Sequence, residues 1–164
     1  MPEMILLGWI HTIIAIAALI AGYYTLAVYK VITPDQKTGS VYLVCTFLAA
    51  ATALMIYQRG VFGPAHALAV LTLLALAAGF LVTRIPALSK IADYFRAFCF
   101  SGTLLFHMIP AITDGLLRLP IGDPVLTDPE APLLKMFYLS FVVVFIVGWV
   151  LQCFWLKKNR AIAQ

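Results

Sequence analysis

Five long apolar runs organise this chain, over about residues 4–29, 40–57, 64–82, 95–117 and 133–155. Each is close to the roughly 20 residues that an α-helix needs to cross a bilayer core. Polar breakers separate them: Thr33-Pro34-Asp35, Arg59-Gly60, Arg84-Ile85-Pro86, and a loop carrying Pro120, Pro124, Pro129 and Pro132. The pattern predicts an all-α integral membrane protein, a single helical bundle over residues 1–164 with five spans. The short connections make neighbouring helices antiparallel, in up-and-down order.

Charge then orients the bundle. Lys30, Lys37, Arg84, Lys90, Arg96, Lys157, Lys158 and Arg160 fall at one side, and Arg59, Arg118 and Lys135 at the other, a split of 8 to 3 among the 11 basic residues. The positive-inside rule puts the first set in the cytoplasm, with the N-terminus outside and the C-terminus inside. Trp9 then falls near the outer interface and Trp149 and Trp155 toward the inner one, as an aromatic belt predicts. The expected location is a bacterial inner (plasma) membrane, with the lipid bilayer as the main surrounding.

Composition agrees with this reading. Hydrophobic residues make up 63% of the chain and charged residues 11%, against about 25% charged in soluble domains. The net charge of +4 is spread over loops and ends, so nucleic acid is not an expected partner. Cys45, Cys99 and Cys153 lack metal-type spacing and read as small buried hydrophobes. Before the first apolar run the only charged side chain is Glu3, and the run is too long for the h-region of a signal peptide. Ala17 and Ala21, Ala18 and Gly22, and the group Ala49, Ala50, Ala51 and Ala53 are small residues of the kind that let helices approach closely in lipid.

Candidate chemistry rests on three histidines. At a rise of about 1.5 Å per residue, His66 lies roughly 5 Å, His11 roughly 10 Å and His107 roughly 15 Å below the outer boundary. All three fall in the outer half. "GWIH" (8–11) and "GPAH" (63–66) each open a helix that enters from outside, a faint echo of a two-helix repeat. In "FHMIPAITDG" (106–115), His107 and Asp114 are two turns apart on one helix face, with Arg118 a turn further. Pro110 between them predicts a kink and a freed Phe106 carbonyl.

Ionisable groups in lipid are costly and are functional-site candidates by default. Imidazoles from two helices can ligate a b-type haem iron axially. His11, His66 and His107 are the candidate ligands, and Arg59 and Arg118 are candidate partners for haem propionates. Gly8 and Gly63 would leave room for a macrocycle. The same His11, His66 and His107 with Asp114 would also suit a transition metal such as zinc, copper or iron, or Asp114 could orient a ligand histidine. A haem or another redox-active centre there would suit electron transfer with a redox partner. A proton or ion pathway is a second reading, since histidine titrates near neutral pH, but the inner half carries no intramembrane acid. An accessory subunit, bound to a membrane protein partner and free of cofactor, is a third.

Each group also has a plain structural role open to it. His66 suits a helix cap, His11 a hydrogen bond to a neighbouring helix, Asp114 and Arg118 an ion pair, and His107 a buried polar contact. There is no G-x-S-x-G, H-E-x-x-H or Walker loop, and Ser101 and Ser140 have no evident base near them in sequence.

"HTIIAIAALIAGYYTLAVYK" (11–30), "KTGSVYLV" (37–44) and "FGPAHALAVLTLLAL" (62–76) together resemble an uncharacterised family of small multi-spanning bacterial membrane proteins. In that family a histidine opens the first helix, an H-R-x-x-G-x-x-Y-like motif opens the second, and a histidine stands near the start of the third. The resemblance covers about residues 8–80. Gly39 and Tyr42 match the second motif, but "QKTGSVY" has no histidine, so an inner-side ligand of the family would be missing. A more distant likeness is to membrane b-type cytochromes. The resemblance implies a multi-spanning bacterial membrane protein and no particular activity.

The loop over 118–132 is the longest connection and is expected to close over the outer end. A cysteine introduced at Asp123 should react with an impermeant maleimide on intact cells. Labelling that needs permeabilisation would reverse the orientation.

Overall fold

The computed structural model describes residues 6–56 and 62–162, with side chains as far as Asn159 in the last helix. The chain forms α1 (Leu6–Tyr29), α2 (Lys37–Met55), α3 (Pro64–Leu81), α4 (Ala92–Arg118) and α5 (Pro132–Ile162). Two short 3₁₀ turns, Val82–Arg84 and Pro86–Leu88, join α3 to α4. No strand occurs among the described residues. All five helices are long and apolar enough to cross a membrane.

Consecutive helices pack side by side, and α4 also returns to touch α1. The first four therefore close a ring, and α5 lies outside it against α4. One end holds the starts of α1, α3 and α5 and the ends of α2 and α4; it is called the first end below.

Helix boundaries differ from the hydropathy runs where polar residues still favour helix. The second helix begins at Lys37, the fourth at Ala92, and the fifth continues past Trp155 through Lys157 and Lys158. Lysine is a good helix former. Hydropathy marks the lipid-compatible part, whereas the backbone hydrogen-bond ladder runs on into the headgroup region. α4 also runs unbroken through Pro110. Arg59 lies outside the described residues.

The interior inverts the pattern of a soluble bundle. Large apolar side chains such as Leu6, Ile13, Ile20, Val144 and Phe154 point outward. The buried stripes carry small and polar residues instead: Ala18, Gly22 and Thr25 on α1; Gly39, Tyr42, Leu43, Thr46, Ala49 and Ala50 on α2; His66, Ala69, Thr72, Leu76 and Gly79 on α3. Lipid solvates Leu and Ile as well as a core does, so association rests on close packing and interhelical hydrogen bonds. Ala18 and Gly22, flagged as a packing pair from spacing, are both in this seam. Cys99 is buried as expected, while Cys45 and Cys153 are half-buried, and all three are free thiols.

Glycines open the seam at two positions. A Cβ on Gly22 would come within 2.8 Å of the Tyr42 ring and of Leu104. A Cβ on Gly79 would run into the fully buried Phe100 ring. α4 thus reaches the centre only because α1 and α3 lack side chains there.

Two lateral grooves remain. One, of about 570 Å³, is floored by Cys99 and Gly102 between α3, α4 and α5 and is almost wholly apolar. The other, of about 310 Å³, lies between α1 and α5 at the second end.

α5 is held by a few polar and aromatic ties. Trp149 donates its indole N–H to the Tyr94 carbonyl at 3.1 Å, and Phe98 stacks on Phe145 and Trp149. Trp149 is therefore a tie between α4 and α5, with its polar edge turned to protein rather than to the interfacial water of an aromatic belt.

Gly79→Ala should destabilise the bundle by about 1–3 kcal/mol through overpacking against Phe100. Gly115→Ala, where a Cβ meets nothing within 4 Å, should stay within about 0.5 kcal/mol of the parent. Equal unfolding midpoints for the two variants in detergent would refute this packing.

Candidate histidine site

α2 supplies the polar face that receives the histidines. Tyr42, Thr46, Ala49 and Thr52 recur at three- and four-residue spacing, so they line one side of the helix. Thr38, one turn before Tyr42, shares that side and bonds the buried Thr25 of α1 at 2.8 Å.

His11 of α1 crosses to the far end of this stripe. Its Nδ1 is 3.0 Å from the Ala49 carbonyl and 3.1 Å from Thr52 Oγ1. A carbonyl only accepts, so Nδ1 carries the proton and Nε2 keeps its lone pair. Thr52 donates its own hydroxyl to the Leu48 and Ala49 carbonyls, which leaves its oxygen free to accept.

His66 has the opposite tautomer. The backbone N–H of Gly63 donates to His66 Nδ1 at 3.2 Å, so the proton sits on Nε2. The ring is buried and packs on Phe62, with centroids 5.2 Å apart. This is the helix-cap role: an orphan N–H at the start of α3 is satisfied by the third residue of the helix. "GWIH" and "GPAH", alike in sequence, therefore do different things. One histidine reaches across to another helix, and the other folds back onto its own.

His107 of α4 meets the middle of the stripe. Its Nε2 is 3.2 Å from Thr46 Oγ1, and its ring stands edge-on to Tyr42 at 6.5 Å. Tyr42 is fully buried and its hydroxyl bonds Thr103 Oγ1 and the Phe100 carbonyl of α4, with Thr46 also in reach. Thr103 also donates to the Phe100 carbonyl, at 2.7 Å. Tyr42 with Thr103, and Thr46 with His107, are thus two neighbouring ties between α2 and α4.

His11 and His107 bond the same face of α2, at Ala49 with Thr52 and at Thr46, and Asp114 lies two turns beyond His107 on α4. Asp114 also pairs with Arg118 at 3.0 Å, a half-exposed i,i+4 bridge at the end of α4. The structure thus draws His11, His107 and Asp114 into one region at the first end, formed by α1, α2 and α4. His66 is engaged at the start of α3. Among the described residues no group of three or more His, Cys, Asp or Glu side chains gathers as a metal site; the set His11, His66, His107 and Asp114 is not assembled around one point.

The loop expected to cover this end folds back on α4. Leu126 N–H bonds the Leu116 carbonyl at 2.9 Å, and Val125 N–H bonds that of Leu119 at 3.2 Å. Glu130 N–H is held by Asp128, and Glu130 pairs with Lys135 at 3.0 Å.

Searches against protein-family models, curated proteins and solved structures find no match to this chain. The physical roles of Gly39 and Tyr42, the two residues that fit the second-helix motif, are nevertheless plain. A Cβ on Gly39 would collide with the Thr33 carbonyl, so only glycine lets the connection from α1 lie on α2. Tyr42 is the buried link just described.

Sequence reasoning missed the hydroxyls. Thr46, Thr52 and Thr103 were not candidates, although Tyr42, Thr46 and Thr52 at helical spacing were readable as a polar stripe. Gln152 was missed too: it is buried and ties α5 to Ser101 of α4 at 3.0 Å and to the Lys30 carbonyl of α1 at 3.0 Å.

Hydrogen bonds between membrane helices average about 0.6 kcal/mol, with a maximum near 1.7. A double-mutant cycle of Thr46→Val and His107→Phe should give a coupling in that range. A coupling indistinguishable from zero would mean the two side chains do not bond in the membrane.

Proposed function

We propose that this protein is a multi-pass protein of the bacterial inner membrane whose histidine site binds a metal centre, b-type haem, and passes electrons to a redox partner. The observation that carries this reading is the 3.0 Å contact of His11 Nδ1 with the Ala49 carbonyl, which as an acceptor places the proton on Nδ1. An Nδ1–H given to a backbone carbonyl is the usual support for a metal-ligating histidine, because it fixes the ring and leaves Nε2 as the donor. His107 of α4 bonds the same face of α2 at Thr46, so two imidazoles from two helices are available.

Haem is favoured over a single metal ion by the ligand count. A lone zinc, copper or iron ion takes most of its ligands from protein, and no such group gathers among the described residues. Haem iron draws four ligands from its porphyrin and asks one or two of the protein. When bound, it would supply one-electron chemistry; His11 would offer Nε2 and His107, whose Nε2 bonds Thr46, would offer Nδ1, with α2 orienting both rings through Ala49, Thr52 and Thr46. His66 does not fit as a ligand through Nε2, since its lone pair at Nδ1 is taken by Gly63. Arg118 is near the same end and partly neutralised by Asp114.

An accessory subunit without cofactor is the second reading. What favours it is that His11, His107 and Asp114 all have protein partners, as polar groups that specify helix pairing would.

Protein purified from membranes grown with a haem supply should carry a Soret band and a reduced-minus-oxidised α-band. His11→Ala and His107→Ala should each lose at least half of the bound haem, while His66→Ala keeps it. Colourless protein that takes up no haem on reconstitution would leave the accessory reading in its place.

A further inference from the structure

The groove at the second end combines an apolar body with a cationic mouth. It is lined by Leu26 and Lys30 from α1 and by Gly148, Leu151, Gln152 and Trp155 from α5. Its floor is firm. Gln152 is buried and bridges the Lys30 carbonyl and Ser101, so α1, α4 and α5 are locked together beneath it. Gly148 leaves the wall open, since a Cβ there would meet nothing within 4 Å. No histidine lies in this groove, and it is independent of the function proposed above.

Its position is that of a membrane boundary. Leu26 is one turn inside the end of α1, and Lys30 follows the last residue of that helix. Lys30 adopts φ +67°. It turns its Nζ to the Ala27 carbonyl at 2.6 Å, capping the helix while two of its three N–H groups remain available. On α5, Leu151, Trp155 and Lys158 lie at spacings of four and three, on one face. Lys158 therefore stands one turn beyond the groove on the α5 side, while Lys30 lines it on the α1 side. Trp155, an amphipathic ring suited to the headgroup level, lies between.

We propose that this groove is a binding site for one anionic phospholipid. An acyl chain lies along Leu26, Gly148 and Leu151, and the phosphodiester sits between Lys30 and Lys158. The occupant follows from charge complementarity. An apolar channel alone would take any acyl chain, whereas two lysines at its mouth select a headgroup with net negative charge. The surrounding Lys37, Arg84, Lys90, Arg96 and Lys157 at the same end give that selection a favourable field, although they do not line the groove.

Native mass spectrometry of the full chain, released from vesicles of equal phosphatidylglycerol and phosphatidylcholine, tests this. The parent protein should retain phosphatidylglycerol roughly fivefold over phosphatidylcholine for each participating lysine. Lys30→Gln with Lys158→Gln should bring the two lipids to near-equal retention. Gly148→Leu, which fills the groove and leaves the charges, should lower retention of both. Lys158→Gln alone changes an exposed side chain on a helix end, so it reports on selectivity even if the other variants fold poorly.

Equal retention by the parent protein overturns the proposal. So does undiminished selectivity in Lys158→Gln, which would assign the preference to the general positive field. Inorganic phosphate that binds in phosphatidylcholine vesicles and competes away phosphatidylglycerol would mark an anion site without an acyl channel, and that also overturns it.

Discussion

Tyr42 is the point on which the bundle turns. It projects from α2, its ring fills the space left by Gly22 of α1, and its hydroxyl reaches Thr103 and the Phe100 carbonyl of α4. Three helices meet at one side chain. In lipid there is no water to satisfy a stray hydroxyl and little hydrophobic gain from bringing helices together. A large ring seated on a glycine, with its polar tip bonded across the seam, meets both constraints at once. Phe100 repeats half of this arrangement against Gly79 of α3.

The histidine site depends on that seam. α2 is held at a close distance from α1 and α4, so its backbone carbonyl at Ala49 and its hydroxyls at Thr46 and Thr52 come within bonding reach of His11 and His107. The imidazoles are oriented by a helix that carries no Asp, Glu, Lys, Arg or His within its apolar run. The same logic explains why the half of the bundle toward the second end looked empty of relay groups in sequence. Its polar content is hydroxyl: Thr25, Thr38, Tyr42 and Thr103 are bonded in pairs, and hydroxyls leave no charge signature.

α5 stands apart in kind. It packs on α4 and is otherwise turned outward, and its attachment runs through Trp149, Gln152 and the Tyr138–Thr113 hydrogen bond of 2.6 Å. Gln152 joins three helices near the second end much as Tyr42 does in the middle. The groove beside it has a wall left without a side chain at Gly148.

How much was legible follows from what each signal measures. Hydropathy and breakers determined five membrane-compatible helices, with boundaries within about three residues except at the end of α5, which runs on to Ile162, because the bilayer imposes length and apolarity only on the part of a helix that spans it. Small-residue spacing pointed to Ala18 and Gly22 in the seam, because close approach in lipid requires small side chains. Sequence also located three histidines in the same half of the protein, but it could not separate them. "GWIH" and "GPAH" differ in role only because the first glycine-histidine pair begins within a helix that faces α2, while the second begins at the helix start, where Gly63 has an N–H to satisfy. Which ring nitrogen holds the proton, which hydroxyls orient His107, and which of the histidines share a region were decided by tertiary structure. Those properties belong to contacts between helices far apart in the chain, and periodicity along one helix carries no record of its partner.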